Sequence, residues 1–229
     1  MYKGFAQHYD AIFTFDEALY LPILNPKGKR SLDIGCGTGR LVDLMARHGY
    51  EAIGIDLDST MVEVAKRNFP TRSFRVQNML DLQGLSRYDL MTCFGNTLAH
   101  LNATELKLFV DLVSLHLVEG GEIWIQLLNY DRILDQRIES LPKIERGSVH
   151  FIREYVFQGD YLIFNTTLIS GHEKVIGSTK LHPYRMEELR ILLGHPKLSL
   201  AIYGSTDERE YDPQRDMHIY LKLIKKDAN

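Results

Sequence analysis

The sequence predicts an α/β fold: a mostly parallel, seven-stranded sheet with flanking helices and an antiparallel β-hairpin inserted over the site. Three observations carry this. Between residues 30 and 127, short β-type runs alternate with helical periodicity, the pattern of parallel strands joined by crossover helices. From about residue 148 the pattern changes to two β-rich stretches separated by Gln158-Gly159-Asp160, which reads as a hairpin. Two more apolar runs, 198–204 and 217–224, supply strands that complete a sheet of seven.

Taken in order, the strands of the first half are expected at 30–34, 52–55, 73–76, 88–94 and 122–127. Between them, Leu41, Leu44, Met45 and His48 share one helical face; Met61, Val62, Ala65 and Phe69 share a second. Leu106, Phe109, Val110, Val113 and Leu117 share a third, on a helix that Gly120-Gly121 is expected to stop. The hairpin pairs 149–157 with 161–170, and 174–181 extends it. A last helix is expected over 186–193, ending at Gly194. The organisation is a single domain with N-terminal helices (1–28), a parallel-sheet core (29–128), a β insertion (148–183) and a C-terminal helix with strands (184–229).

At 229 residues the chain is long enough for a full core, and 45% hydrophobic with 25% charged residues is ordinary globular composition. Thirty acidic against 27 basic residues give a formal charge of −3, and neither half hides a basic excess, which disfavours nucleic acid or anionic membrane as a partner. Two cysteines, Cys36 and Cys93, are too few for a disulfide framework or a zinc site and fit a reducing compartment. There is no apolar run of signal or membrane-spanning length, so a cytoplasmic protein, monomer or homodimer, is expected.

The run Leu32-Asp33-Ile34-Gly35-Cys36-Gly37-Thr38-Gly39-Arg40 closes a strand and opens a helix. Glycines at such a turn let the backbone approach a ligand closely. The nicotinamide fingerprint needs a third glycine at position 40, where Arg40 stands, so the spacing argues against NAD. Asp33 would repel a pyrophosphate but favour an amino group or a sulfonium. Asp56 ends the second strand about 20 residues past the glycines, where a carboxylate can accept from both ribose hydroxyls. The competing reading is that Asp56 merely caps the helix that begins near Ser59.

From Tyr9-Asp10 through the glycine loop to the last strand, the sequence resembles class I S-adenosylmethionine-dependent methyltransferases, whose sheet is Rossmann-like. The resemblance implies that Asp33, Gly35, Cys36 and Gly37 hold the methionine moiety, Asp56 the ribose, and Leu57 the adenine. Asn78-Met79 matches a position where the family often has an acid that accepts from the adenine amino group. Tyr9 matches a tyrosine of the lid segment Tyr2-Lys3-Gly4-Phe5-Ala6-Gln7-His8-Tyr9-Asp10, which reaches the cofactor; a packed amphipathic helix is the alternative. Phe94-Gly95-Asn96 would lie beyond the carboxyl end of the fourth strand, where open parallel sheets bind ligands.

Asn96 and His100 are four apart, so a helical turn would put both on one face, where an amide and an imidazole can orient a small nucleophile. This run resembles the glycine N-methyltransferase-like branch of the family. The alternatives are a core histidine and a plain turn asparagine. The likeness extends through Asn129-Tyr130-Asp131, Leu181-His182-Pro183-Tyr184 and Tyr211-Asp212-Pro213, giving Leu128, Tyr130, Arg153 and Tyr184 as substrate-side candidates. For Arg153 the competing reading, a solvated hairpin face, is the commoner fate of an arginine. In the glycine-methylating branch an arginine commonly stands where this chain has Leu128, so glycine is expected to be a poor substrate unless Arg153 or Arg185 supplies the charge.

The function so implied is methyl transfer to a small-molecule acceptor, on nitrogen rather than carbon, by in-line displacement, with S-adenosylmethionine as cofactor and no metal. Two alternatives stand beside it: a non-catalytic cofactor-binding or partner-activating subunit, and a transfer-RNA or protein methyltransferase.

Overall fold

In the computed structural model, which describes residues 5–25 and 28–227, the chain folds into two sheets. The larger has seven strands: β1 (Arg30–Ile34), β2 (Glu51–Asp56), β3 (Ser73–Val76), β4 (Tyr88–Cys93), β5 (Leu117–Leu128), β10 (Leu198–Tyr203) and β11 (His218–Lys225). Their spatial order is β10-β11-β5-β4-β1-β2-β3. All neighbours are parallel except at β11, which runs antiparallel to both β5 and β10. The order reverses at β1 and β4, the switch point whose carboxyl edge opens the ligand crevice of such sheets.

Central strands read as unbroken apolar runs because both faces are covered. Met91, Cys93, Ile123, Ile125 and Leu127 face one core with Leu106, Phe109 and Val113 of α4 (Ala103–His116) and Leu189 of α6 (Met186–Leu192). Leu90, Trp124 and Tyr220 face the other, against Leu41, Leu44 and Met45 of α2 (Arg40–Arg47). Helix starts are written in side chains. Asp58 accepts from the amides of Thr60 (2.9 Å) and Met61 (3.3 Å) to open α3 (Ser59–Asn68), and Asn102 with Glu105 forms a capping box for α4. Among the described residues no helix is long and apolar enough to cross a membrane.

Three boundaries differ from the sequence expectation. Gly120-Gly121 does not stop a helix: α4 ends at His116, and the two glycines lie inside β5, beside an irregularity in its register with β4. A Cβ on Gly121 would come within 2.9 Å of the Val118 carbonyl oxygen, so this bend needs glycine. The inserted hairpin is part of a four-stranded antiparallel sheet, β6-β7-β8-β9. Its strands are β6 (Ser140–Arg146), β7 (Val149–Gln158), β8 (Tyr161–Ser170) and β9 (Glu173–Leu181), so the insertion begins before residue 148. Strand β6 escaped the sequence reading because Leu141-Pro142-Lys143-Ile144 breaks apolar alternation where its pairing with β7 slips.

The N-terminal segment packs between the sheets. Tyr2, Lys3 and Gly4 of the expected lid lie outside the described residues. Phe5, Tyr9 of α1 (Tyr9–Ile12) and Phe13 form a ring cluster with Phe151 of β7, at centroid distances of 4.8 to 6.3 Å.

Candidate active site

The strand-to-helix turn after β1 is built on positive φ: Gly35 at 74°, Gly37 at 52° and Gly39 at 86°. A Cβ on Gly37 would meet nothing nearer than Tyr9 Cε1 at 4.0 Å, so its absence leaves open space for a ligand rather than relieving a clash. Asp56, at the end of β2, accepts from the Gly37 amide (2.9 Å) and the Asp58 amide (2.9 Å). It therefore ties the glycine loop to the next strand. The helix cap is Asp58 instead, which removes the capping reading of Asp56. A carboxylate has about four acceptor positions, and these amides leave some of them for a ligand.

Asp33 is buried beneath the loop. Thr92 Oγ1 donates to it at 2.7 Å, and burial pushes its carboxyl up to about 7 against that hydrogen bond. Burial likewise raises Asp56 above the usual carboxylate range.

Two chambers open at this edge. The first, about 430 Å³, is lined by Gly35, Gly37, Asp56, Leu57, Asn78, Met79, Phe94 and Gly95, all expected from sequence, together with Asp58, Met61, Gln77 and Thr97, which were not. Leu57 is 70% exposed, an apolar side chain with no protein cover. Asn78 Oδ1 already accepts from the Leu80 amide at 2.9 Å, which leaves it one lone pair for a ligand. No lysine or arginine lines this chamber among the described residues.

The second chamber, about 450 Å³, lies between the carboxyl edge of the large sheet and the four-stranded sheet. Leu128 and Arg153 line it, as do Tyr155, Phe164 and His218, which the sequence reading missed. No aspartate or glutamate lines it among the described residues. A smaller space of about 110 Å³ holds Asp33, Cys36, Arg40 and Tyr20. Arg40 pairs with Asp10 at 3.0 Å and donates to the Phe13 carbonyl at 2.9 Å.

The two large chambers share Tyr9, Gly95 and His100. His100 is exposed and makes no side-chain hydrogen bond among the described residues, so it is not a core histidine. Its surroundings nonetheless lower its pKa by desolvation, leaving the ring neutral at pH 7. Burial pushes the Tyr9 hydroxyl up to about 12.

Several sequence expectations are corrected here. Asn96 lines the second chamber with His100, but its amide is already engaged: its backbone is left-handed (φ 65°), its Nδ2 donates to Tyr130 Oη (2.7 Å), and its Oδ1 accepts from the Leu128 amide (3.1 Å). That amide thus ties the end of β4 to the end of β5 and to the start of the next helix, α5 (Tyr130–Asp135). Tyr130 is fully buried as the partner in that bond, and Tyr184 is buried with its hydroxyl donating to the Leu101 carbonyl (2.7 Å); neither lines a chamber. Arg185 is held by Asp131 (3.2 Å) and Asp135 (2.9 Å), away from the chambers. Arg153 is the arginine that enters, so Leu128 alone does not decide how a carboxylate fares.

Comparison with known proteins agrees with this geometry. Residues 32–121 match the methyltransferase domain family. That match covers less than half of the chain, and the fold is the one shared by solved S-adenosylmethionine-dependent methyltransferases. Over 97 residues the chain is 35% identical to a Geobacillus sp. (strain WCH70) protein that bears a methyltransferase designation, covering 41% of this chain and 39% of that one. Over 72 residues it is 33% identical to a ubiquinone biosynthesis O-methyltransferase of Coxiella burnetii (strain Dugway 5J108-111), covering 29% and 31%. The matches thus span about a third to two fifths of these relatives' length. The fold likeness is wider. An S-adenosylmethionine-dependent methyltransferase from Clostridium acetobutylicum ATCC 824 superposes at a TM-score of 0.81, with 20% identity and 99% of each chain covered. An amino pentose methyltransferase from Micromonospora echinaspora, solved with S-adenosylmethionine bound, superposes at 0.75, with 18% identity and 97% of each covered.

Proposed function

We propose that this protein is a methyltransferase that uses S-adenosylmethionine to methylate a small-molecule acceptor, on nitrogen. The observation that carries the reading is the pair of chambers of opposite character meeting at Tyr9, Gly95 and His100. The first has two aspartates and no cation among its described lining, the right field for a cofactor that is cationic at sulfur and amine and carries no phosphate. A dinucleotide's pyrophosphate would be repelled there.

The residues fit the cofactor. Asp56 has acceptor positions left for two ribose hydroxyls, the exposed Leu57 and Met79 offer apolar surface to adenine, and Asn78 keeps a lone pair for the adenine amino group. In the small space, Asp33 suits the amino end and Arg40 the carboxylate end of the methionine moiety. S-adenosylmethionine, when bound, supplies a methyl group activated by positive sulfur.

The chain's own task is then alignment and proton handling. The ring-lined second chamber, with no carboxylate among its described lining, favours an amine in its neutral, nucleophilic form. His100, neutral and without a side-chain hydrogen bond among the described residues, takes a proton from the acceptor directly or through water. Asn96 acts as a positioning residue through Tyr130 and Leu128. Glycine is expected to be a poor acceptor because its five heavy atoms leave most of a chamber of about 450 Å³ unfilled.

Methyl-labelled S-adenosylmethionine incubated with the protein and a small-metabolite extract tests this. Label in a small molecule as an N-methyl group is the expected result. Label in oxygen would move the acceptor atom, label in RNA or protein would replace the acceptor class, and cofactor binding with no product would favour a non-catalytic subunit.

A further inference from the structure

The second chamber carries polar side chains that the transfer chemistry does not use. Three polar side chains reach it from two elements: Arg153 and Tyr155 on β7, two residues apart and so on one face of the strand, and His218 at the start of β11. Tyr155 is 4% exposed, yet its hydroxyl has no hydrogen-bond partner among the described residues. Arg153 Nε is also buried without a partner, while Nη2 donates to the Pro142 carbonyl at 2.7 Å, which fixes the guanidinium in place. Its plane is further held 5.8 Å from the Phe151 ring centroid. Buried donors left open are rare and costly, and a donor pair left open in a cavity is the imprint of a missing acceptor group.

The charge count points the same way. Of the two guanidinium groups lining the chamber, Arg40 pairs with Asp10 at 3.0 Å and is assigned to the methionine carboxylate, whereas among the described residues Arg153 makes no ion pair and no acidic side chain lines the space. The rest of the wall is aromatic and aliphatic, including Phe151, Phe164, Leu128 and Leu141. We infer that Arg153, with Tyr155 and His218, anchors a carboxylate carried by an acceptor whose remaining body is apolar or aromatic. One uncompensated cation in a dry wall matches one negative charge, which selects a carboxylate over a doubly charged phosphate. On the methyltransferase reading, the group to be methylated lies towards Tyr9, Gly95 and His100, where the two chambers meet. This inference rests on the methyltransferase reading only for that last statement.

The test uses acids paired with their primary amides: phenylacetate with phenylacetamide, indole-3-acetate with indole-3-acetamide, and hexanoate with hexanamide. Phenyl phosphate is added as a dianion. Affinities are read by ligand-observed NMR on the protein loaded with S-adenosylhomocysteine. At least one acid should bind tenfold or more tightly than its amide. Arg153→Leu should erase that preference with the amide's affinity unchanged, Arg153→Lys should keep part of it, and Tyr155→Phe should reduce it severalfold. Equal binding of acid and amide in all three pairs, a preference that survives Arg153→Leu, or tighter binding of phenyl phosphate than of phenylacetate would overturn the inference. The wild-type pairs decide it even where a variant does not fold. Failure of S-adenosylhomocysteine to bind would instead overturn the methyltransferase reading, and the pairs measured on the free protein would still decide the anion site.

Discussion

Asp33 shows how one buried carboxyl couples folding to ligand binding. Its pKa is raised from 3.8 to about 7 by burial, so the unfolded chain releases this proton first as pH rises. The sign follows: the Asp33 contribution to stability is complete below about pH 4 and is lost as pH rises towards 7. The loss is on the order of 4 kcal/mol, at about 1.4 kcal/mol per pKa unit. Thermal melts of Asp33→Asn should show less destabilisation across that interval than wild type. A cationic ligand reverses the preference by favouring the carboxylate, so S-adenosylmethionine affinity should rise with pH up to about 7 and then level off. In Asp33→Asn, calorimetry should find weaker binding without that rise.

His100 makes the complementary case. Being exposed and without a side-chain hydrogen bond among the described residues, it should tolerate His100→Ala with a stability change within about 0.5 kcal/mol. Turnover should fall by about 10²- to 10⁴-fold with cofactor affinity unchanged. Activity in wild type should disappear as pH falls through the lowered pKa of this imidazole, because the protonated ring accepts nothing. Chain position and residue type made His100 legible in the sequence. Arg153 was legible only as a candidate, since a strand arginine faces solvent or a cavity according to a sheet that the sequence did not fully reveal.

At the scale of elements, the turns that join strands to helices carry more than the helices themselves. Strand β4 leaves the sheet through Gly95 and Asn96, both at positive φ, and the Asn96 amide then binds across to Tyr130 and Leu128. Asn96→Ala strands the buried Tyr130 hydroxyl, frees the Leu128 amide and puts a residue less tolerant of the left-handed region at that turn. Denaturant melts should show a loss of about 1 to 3 kcal/mol, with any fall in activity tracking unfolding. The sequence offered Asn96 and His100 as a catalytic pair on helical spacing. The turn from Thr97 to His100 is a single 3₁₀ turn rather than the α-helical turn that spacing assumes; both residues line the second chamber, but Asn96 does so with its amide already bonded. Gly120-Gly121 misled for a related reason: glycine marks a break in regularity, and only the packing of Val118 and Tyr88 around Gly121 says that the break is a bend within a strand.

Over the whole molecule, the parallel sheet was readable because its central strands are buried on both faces and its crossover helices keep apolar stripes. The four-stranded sheet was half readable: β7 and β8 announce themselves through alternation and the Gly159 turn, whereas β6 pairs across a register slip that no local pattern encodes. That sheet supplies one wall of the second chamber, which is why the first chamber was more visible in the sequence than the second. The formal charge of −3 conceals the arrangement that gives the site its direction, acid on the cofactor side and a free guanidinium on the acceptor side. The account turns on Asp56 standing where a nucleoside ribose binds. Calorimetric titration of S-adenosylmethionine into wild type and Asp56→Ala should give saturable single-site binding, weaker in the variant by about 2 to 4 kcal/mol as charged acceptors to two hydroxyls are lost. Equal affinity in the two proteins, or tighter binding of NAD than of S-adenosylmethionine to the wild type, would contradict it.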